Sequence, residues 1–415
     1  MKVIWFANIN LSSDTFEGYN GGGWIESMKE CLLSLYPTVE LAIVFQAESS
    51  SKVRSKIING VTYYSIGIHR SLPQKFYGFF KSLEKRCMEI DEAYISVYVK
   101  VIDGFNPDII HIWGTEKNYG LLCQVVSVPC IIHLQGILNP SFNAFLPPFV
   151  SVNNYLWCDG FKNVRDKYNE ILAWRYFVKR ERAIFENCKY FLGRTDWDKA
   201  VTSILSPKSS YFYCSEILRD EFLVSQKWIR PNHRLKLVSV ISSPLYKGAD
   251  LILKTAEILK NRLNLDFEWC VYGIKSLAFL QKKIGINCSD VNIFLCGVAS
   301  ANDIVNQMLD SHVYVHPSYI DNSPNSLCEA QFLGIPVVAC NVGGISSLII
   351  NEESGLLVPA NDPYSMASKI LRLCDNSNNI AECISENEIL VATERHNKVK
   401  VVDQLVSIYS HIINV

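Results

Sequence analysis

The chain reads as an α/β protein made of two Rossmann-like, doubly wound parallel-sheet domains facing a cleft. Three observations carry that reading. Short β-rich apolar runs alternate with longer helical patterns almost from end to end. They are "KVIWFAN", "VELAIVF", "VTYYSIG", "DIIHIWG", "PCIIHLQG" and "KYFLGR" in the first half. In the second half they are "LKLVSVI", "FEWCVYG", "VNIFLCG", "VYVHPS", "PVVAC" and "GLLVP". Strands that are apolar on both faces and separated by helices belong to parallel sheets covered on both sides. The length, 415 residues, exceeds one ordinary core. The alternation is interrupted once, at "SSYFYCSEILRDEFLVSQKWIRPNHR", residues 209–234. The expected division is therefore 1–213 and 214–395. A final segment, 396–415, carries a helix over about 396–413 that is expected to pack back on the first domain.

Composition narrows the function classes. Half-apolar content, 49%, with 20% charged residues is globular. A net charge of −1 provides no basic field for nucleic acid. The 14 cysteines are scattered without a C-x-x-C pair, and Cys270, Cys296 and Cys340 lie in apolar strand-like runs. Such cysteines behave as small hydrophobes, which fits a reducing cytosol. The apolar run in "MKVIWFANIN" is too short for a signal peptide, and no run approaches the roughly 18 residues of a membrane span. A cytoplasmic protein is expected. The basic, aromatic stretch "LPQKFYGFFKSLEKR" (72–86) leaves room for a peripheral contact with the inner face of a membrane, or for ordinary packing. The aromatic stretch 139–161 is suited either to stacking on sugar rings or to core packing.

In doubly wound sheets ligands sit off the carboxyl ends of the strands, so candidate residues are sought just after strands. In "DNSPNSLCEAQFLGIPVVACNVGG" (321–344) a strand gives way to a helix, with Ser323 a natural N-cap and Pro324 at the first helical position. The N–H groups of Asn325, Ser326 and Leu327 then point into the cleft, where a helix N-terminus favours phosphate. Glu329, one turn in, is placed to accept bonds from two ribose hydroxyls, and Asp321 to reach a sugar hydroxyl. On spacing alone, two solvated acids near a helix start fit equally well. In "TDWDK", Asp196 and Asp198 form a D-x-D pair, but they follow "YFLGR" and open a helix. Thr195 or Asp196 is read there as an N-cap rather than part of a metal site.

The 321–344 segment resembles the signature of the family 4 retaining glycosyltransferases, also called glycosyltransferase group 1, of the bacterial polysaccharide and lipopolysaccharide type. That signature is an acidic pair with seven residues between, followed by "A…G.PVVA…GG". Glu329, Ala330, Gly334, Pro336, Gly343 and Gly344 fall in place, with Asp321 standing where the family has Glu and "NSP" replacing Gly-Phe-Gly. The resemblance covers most of the chain and is strongest in the second half. It implies the GT-B fold, a UDP- or GDP-sugar donor, a saccharide or lipid-linked saccharide acceptor, and no metal or other cofactor.

The resemblance also assigns roles. "NGGGWIESMKECL" places Gly21, Gly22 and Gly23 beside the donor diphosphate and sugar; a glycine triplet alone reads as a flexible loop. His133, ending "PCIIHLQG", matches the active-site His at the cleft edge, whereas His111 in "DIIHIWG" is read as core. Lys247 in "LVSVISSPLYKGADLILKTAEIL" is the candidate cation for the diphosphate. The family's Arg is replaced at Ser242, so another cation substitutes or Lys247 and the helix suffice. Gly297 and Val298 match the turn that holds the base through its backbone. A nucleotide-sugar epimerase of the same architecture and a catalytically silent binding subunit are the alternative functions.

Overall fold

The computed structural model describes residues 1–8, 23–47, 53–68, 82–158, 160–375 and 377–415. Two sheets organise it. The first runs in the order β3-β4-β2-β1-β5-β6-β7-β8, the second β11-β10-β9-β12-β13-β14. Strands of the first sheet are β1 (Lys2–Phe6), β2 (Glu40–Gln46), β3 (Val53–Ile58), β4 (Val61–Ile66), β5 (Ile109–Trp113), β6 (Cys130–His133), β7 (Tyr190–Gly193) and β8 (Ser210–Tyr213). Those of the second are β9 (Leu235–Val240), β10 (Phe267–Tyr272), β11 (Ile293–Gly297), β12 (Val313–His316), β13 (Val337–Cys340) and β14 (Leu356–Val358). All pairings are parallel except the β3–β4 hairpin.

The twelve apolar runs all become strands, and two more appear. β3, "VRSKII", is almost wholly exposed, so no apolar pattern betrays it. β8, "SYFY", is a four-residue edge strand lying inside the stretch read as the seam. The alternation of side chains divides the first domain's core in two. Val3, Trp5 and Trp113 face the helices Gly23–Leu35 and Lys398–Ile413, while Ile4, Phe6 and Ile112 face Leu83–Phe105 and Val164–Asn187. The second sheet carries its own larger core.

The helix Lys398–Ile413 belongs spatially to the first sheet. Trp5 Nε1 donates to Tyr409 Oη at 3.2 Å, His111 bonds the same hydroxyl, and Tyr36 Oη donates to Asp403 at 2.8 Å. Within the 139–161 stretch, Phe142, Phe145, Leu146 and Phe149 pack against the second domain's core, with Lys254 Nζ 4.3 Å above the Phe149 ring. Towards its end Trp157 and Phe161 are exposed and lie 5.7 Å apart. All 14 cysteines are free. Among the described residues no helix is long and apolar enough to cross a membrane. Of the 72–86 stretch, 72–81 lie outside the described residues, and a helix runs from Leu83.

Candidate active site

The carboxyl ends of β9 and β12 bring Lys247 and Asp321 into contact. The loop after β9 carries Lys247 and turns at Gly248, whose φ of +72° starts the helix Ala249–Glu257. The loop after β12 approaches it, and Tyr319 N–H donates to Tyr246 O at 2.8 Å. Lys247 Nζ donates to Asp321 Oδ2 at 2.5 Å. The same oxygen meets His316 Nε2 at 2.9 Å and accepts from Ser318 Oγ at 3.2 Å. Burial opposes ionisation of Asp321, yet the Lys247 ammonium and the His316 bond outweigh it and hold the carboxyl well below its ordinary range. Burial likewise works against the Lys247 charge, but Asp321 overrides it and raises the ammonium's pKa. Burial leads at His316 and lowers its pKa despite the Asp321 bond. The pair is therefore a fixed ion pair with each side chain 13–14% exposed. His316 is a member that sequence reading missed, although it ends the very strand whose loop was scrutinised.

Gly343 and Gly344, behind this loop, have a steric reason. A Cβ on Gly343 would collide with the Asp321 carbonyl, and one on Gly344 with the Asn322 carbonyl and, at 2.6 Å, the Thr195 side chain. Only glycines allow the β13 loop to lie so close, and Gly344 N–H donates to Asp321 O at 2.9 Å.

The helix Asn325–Leu333 starts differently from expectation. Pro324, extended at φ −69° and ψ 123°, is itself the N-cap, and no side chain caps the helix. Ser323 Oγ lies 3.8 Å from Cys328 Sγ instead. The Pro324 carbonyl accepts the first helical bonds, from Leu327 N–H at 3.0 Å and Cys328 N–H at 3.2 Å. Leu327 is thus removed from the set of free donors, and it is fully buried. Asn325 and Ser326 N–H have no acceptor among the described residues. Ser326 Oγ accepts from Tyr314 Oη at 2.8 Å.

Glu329 lies inside, 2% exposed, and both its oxygens are occupied. Arg219 Nε donates to Oε1 at 2.8 Å and Nη2 to Oε2 at 2.9 Å. Burial pushes the Glu329 carboxyl up to about 7, with the Arg219 bonds pulling the other way. Arg219 was not anticipated, because nothing local marks a contact across 110 residues. At the other side of the second sheet, Gly297 has φ +70°; its N–H donates to Ile274 O at 3.1 Å and its carbonyl accepts from Gly273 N–H at 2.7 Å. Its backbone is committed to the turn, whereas Val298 is largely exposed with no backbone partner among the described residues.

From the first domain the structure contributes less than expected. Gly21 and Gly22 lie outside the described residues, while Gly23 opens the helix Gly23–Leu35. His133 requires a correction. It ends β6, but its ring turns into the sheet face and is fully buried, stacked 4.9 Å from Trp113. Nε2 meets Cys214 O at 3.2 Å, and Nδ1 has no partner among the described residues. Burial, with the Arg194 charge adding to it, lowers its pKa to about 3. The ring is not at the cleft edge; strand alternation places it on the same face as His111 and Trp113. His111 is buried as read, its pKa also driven well down by burial.

Thr195 is the N-cap of Asp196–Leu205, in a capping box with Asp198. The same residues clasp the other domain. Thr195 Oγ1 donates to Asn322 Oδ1 at 2.6 Å, Asn322 Nδ2 donates to Asp198 Oδ2 at 2.9 Å, and Asp196 N–H donates to Ser347 Oγ at 2.9 Å. Asp198 is buried and bonded, not converging with other acids. Among the described residues no group of three His, Cys, Asp or Glu is arranged to hold a metal.

A cation, two open helix N–H groups and carboxylates at the carboxyl ends of parallel strands form a site suited to an anionic, hydroxyl-rich ligand. Residues 221–390 match the family described as glycosyl transferases group 1. One relative is a UDP-Gal:alpha-D-GlcNAc-diphosphoundecaprenol alpha-1,3-galactosyltransferase of Escherichia coli, 32% identical over 108 residues, 26% of this chain and 27% of the relative. Another is a capsular polysaccharide biosynthesis glycosyltransferase of Staphylococcus aureus, 30% identical over 90 residues, 22% of this chain and 23% of that one. The chain spans about a quarter of the length of these relatives. Among solved structures, sucrose-phosphate synthase of Thermosynechococcus elongatus superposes with a TM-score of 0.70 at 13% identity, covering 100% of this chain and 99% of that one. The fold is thus the two-domain GT-B architecture, and residues 221–390 of its second domain are similar to the group 1 glycosyl transferases.

Proposed function

We propose that the chain transfers a sugar from a UDP- or GDP-sugar to a hydroxyl of a saccharide or lipid-linked saccharide, with retention and without a metal, in surface polysaccharide synthesis. The observation that carries this reading is the Lys247–Asp321 pair beside the open N-terminus of Asn325–Leu333, inside the domain matched to the family. The names of the Escherichia coli and Staphylococcus aureus relatives support the lipid-diphosphate acceptor and the polysaccharide setting.

In this reading Lys247 and the Asn325 and Ser326 N–H groups neutralise the leaving diphosphate, which a metal does in other enzymes. Asp321 orients Lys247 and, through its remaining oxygen, the donor sugar. Glu329 takes the ribose hydroxyls. Departure of the diphosphate develops oxocarbenium character, and the acceptor hydroxyl attacks on the same face. No residue is placed as a covalent nucleophile. Work at the inner face of the membrane, in the cytoplasm, follows from a lipid-linked acceptor.

The test is incubation with a panel of UDP- and GDP-sugars, with water or saccharide as acceptor, in EDTA. Release of nucleoside diphosphate is expected, undiminished by the chelator. An epimerised nucleotide sugar would make the protein an epimerase instead, and neither product a silent subunit. A strict Mn²⁺ or Mg²⁺ requirement would refute the metal-free mechanism.

A further inference from the structure

Glu329 is assigned to ribose, yet both of its oxygens are already held by one guanidinium. The two partners differ in freedom. The Glu329 side chain is buried on a helix buried from Leu327 to Leu333, whereas the Arg219 side chain is 30% exposed. The stem of Arg219 runs along the first domain where the helix Gly23–Leu35 begins. A Cβ on Gly23 would meet Arg219 Cδ at 3.0 Å and Cγ at 3.1 Å. Its guanidinium also lies 4.7 Å from the Phe222 ring centroid, a cation–π contact that leaves its N–H edge free to bond. Arg219 therefore stands where the start of the first domain's helix Gly23–Leu35 meets the second domain's helix Asn325–Leu333. That is also the place of the diphosphate in the proposed function, on which this inference rests.

We propose that Arg219 is a diphosphate ligand stored on Glu329, and that donor entry exchanges one partner for another at both groups. The hydrogen bonds balance. Glu329 gives up two N–H donors and receives two O–H donors from the ribose. Arg219 gives up two carboxylate oxygens and receives phosphate oxygens in the same forked geometry. Neither group is left unpaired at the end of the exchange, which matters most for the buried Glu329 carboxylate. The exchange also supplies the second cation that Ser242 cannot provide. A nucleoside without phosphates would have to pull Glu329 away from Arg219 and offer the guanidinium nothing. The site thereby reads both ends of the nucleotide at once.

The experiment measures UDP, GDP, uridine and guanosine binding to the full chain by calorimetry and competition NMR, for wild type, Arg219→Ala and Arg219→Lys. Wild type is expected to prefer the matching nucleoside diphosphate strongly over its nucleoside. Arg219→Ala should weaken the diphosphate by about 10- to 100-fold while leaving the nucleoside bound as well as before or better, since Glu329 is released. Arg219→Lys, which keeps the charge and guards against a folding failure, should fall between them. Loss of diphosphate and nucleoside by the same factor, or unchanged diphosphate binding in both variants, would overturn the exchange while leaving the glycosyltransferase reading intact. Wild type binding neither diphosphate would overturn both.

Discussion

The loops leaving the carboxyl ends of the two sheets hold their polar groups in opposite ways. In the second sheet, Lys247 and Asp321 are tied to each other yet remain partly open. In the first, the loops after β5 and β6 are anchored inward on Glu181, which is fully buried and accepts from Leu138 N–H at 2.8 Å, Asn139 N–H at 2.7 Å, Asn139 Nδ2 at 2.7 Å and the Thr115 hydroxyl. A strand-end address is shared by both sets. What separates a ligand-binding group from an architectural one is spare bonding capacity and a path to solvent.

The contrast is broken most easily at Lys247. Lys247→Ala should lower kcat by about 100-fold or more, an effect larger than its cost in stability, because Asp321 keeps His316 and Ser318 as partners; steady-state turnover and denaturant titration measure the two. An equal fall in stability would place Lys247 with Glu181. Glu181→Ala should do the reverse. Stranding buried N–H groups at about 1–3 kcal/mol each should cost at least about 3 kcal/mol in urea unfolding, with kcat of the folded fraction nearly unchanged.

Glu329→Ala sharpens the comparison within the second domain. Losing a charged acceptor should weaken a ribonucleotide by about 1.5–3 kcal/mol, and calorimetry should find its 2′-deoxy analogue much less affected. An equal loss for both would remove Glu329 from the ribose.

The last test falls on His133, enclosed under the first sheet's loops, and its effect is confined to acid pH. Its folded pKa of about 3 lies below the ordinary value of 6.5. The unfolded chain therefore takes up a proton below pH 6.5 that the folded chain refuses until about pH 3, and stability falls as pH drops through that window. His133→Phe should flatten this fall by up to about 1.4 kcal/mol per pH unit, leaving the part due to His111, His312, His316 and His396, which burial also holds low. Thermal denaturation at pH 4, 5, 6 and 7 checks it; an unchanged slope would mean that the ring is not buried neutral.

Much of this architecture was legible because burial on two faces leaves an unbroken apolar run, which period alone reveals. β3 escaped because an exposed antiparallel edge needs no such run, and β8 because its half-exposed residues lie in the stretch read as the seam. Lys247 and Asp321 were legible as residues following strands, in a segment dense with motif positions. The Arg219–Glu329 and Thr195–Asn322 contacts join residues more than a hundred positions apart, and no local pattern encodes them. His133 was misplaced for a subtler reason. The end of a strand is visible in sequence, but which face its last side chain takes is set by its register with β5.

Asp321 and Asn322 are consecutive, and they are held by different halves of the molecule. Asp321 grips Lys247 within the second domain, while Asn322 is bonded to Thr195 and Asp198 of the first. The placement of the acid in the ion pair and the bond between the two domains are thus fixed by neighbouring links of one short loop.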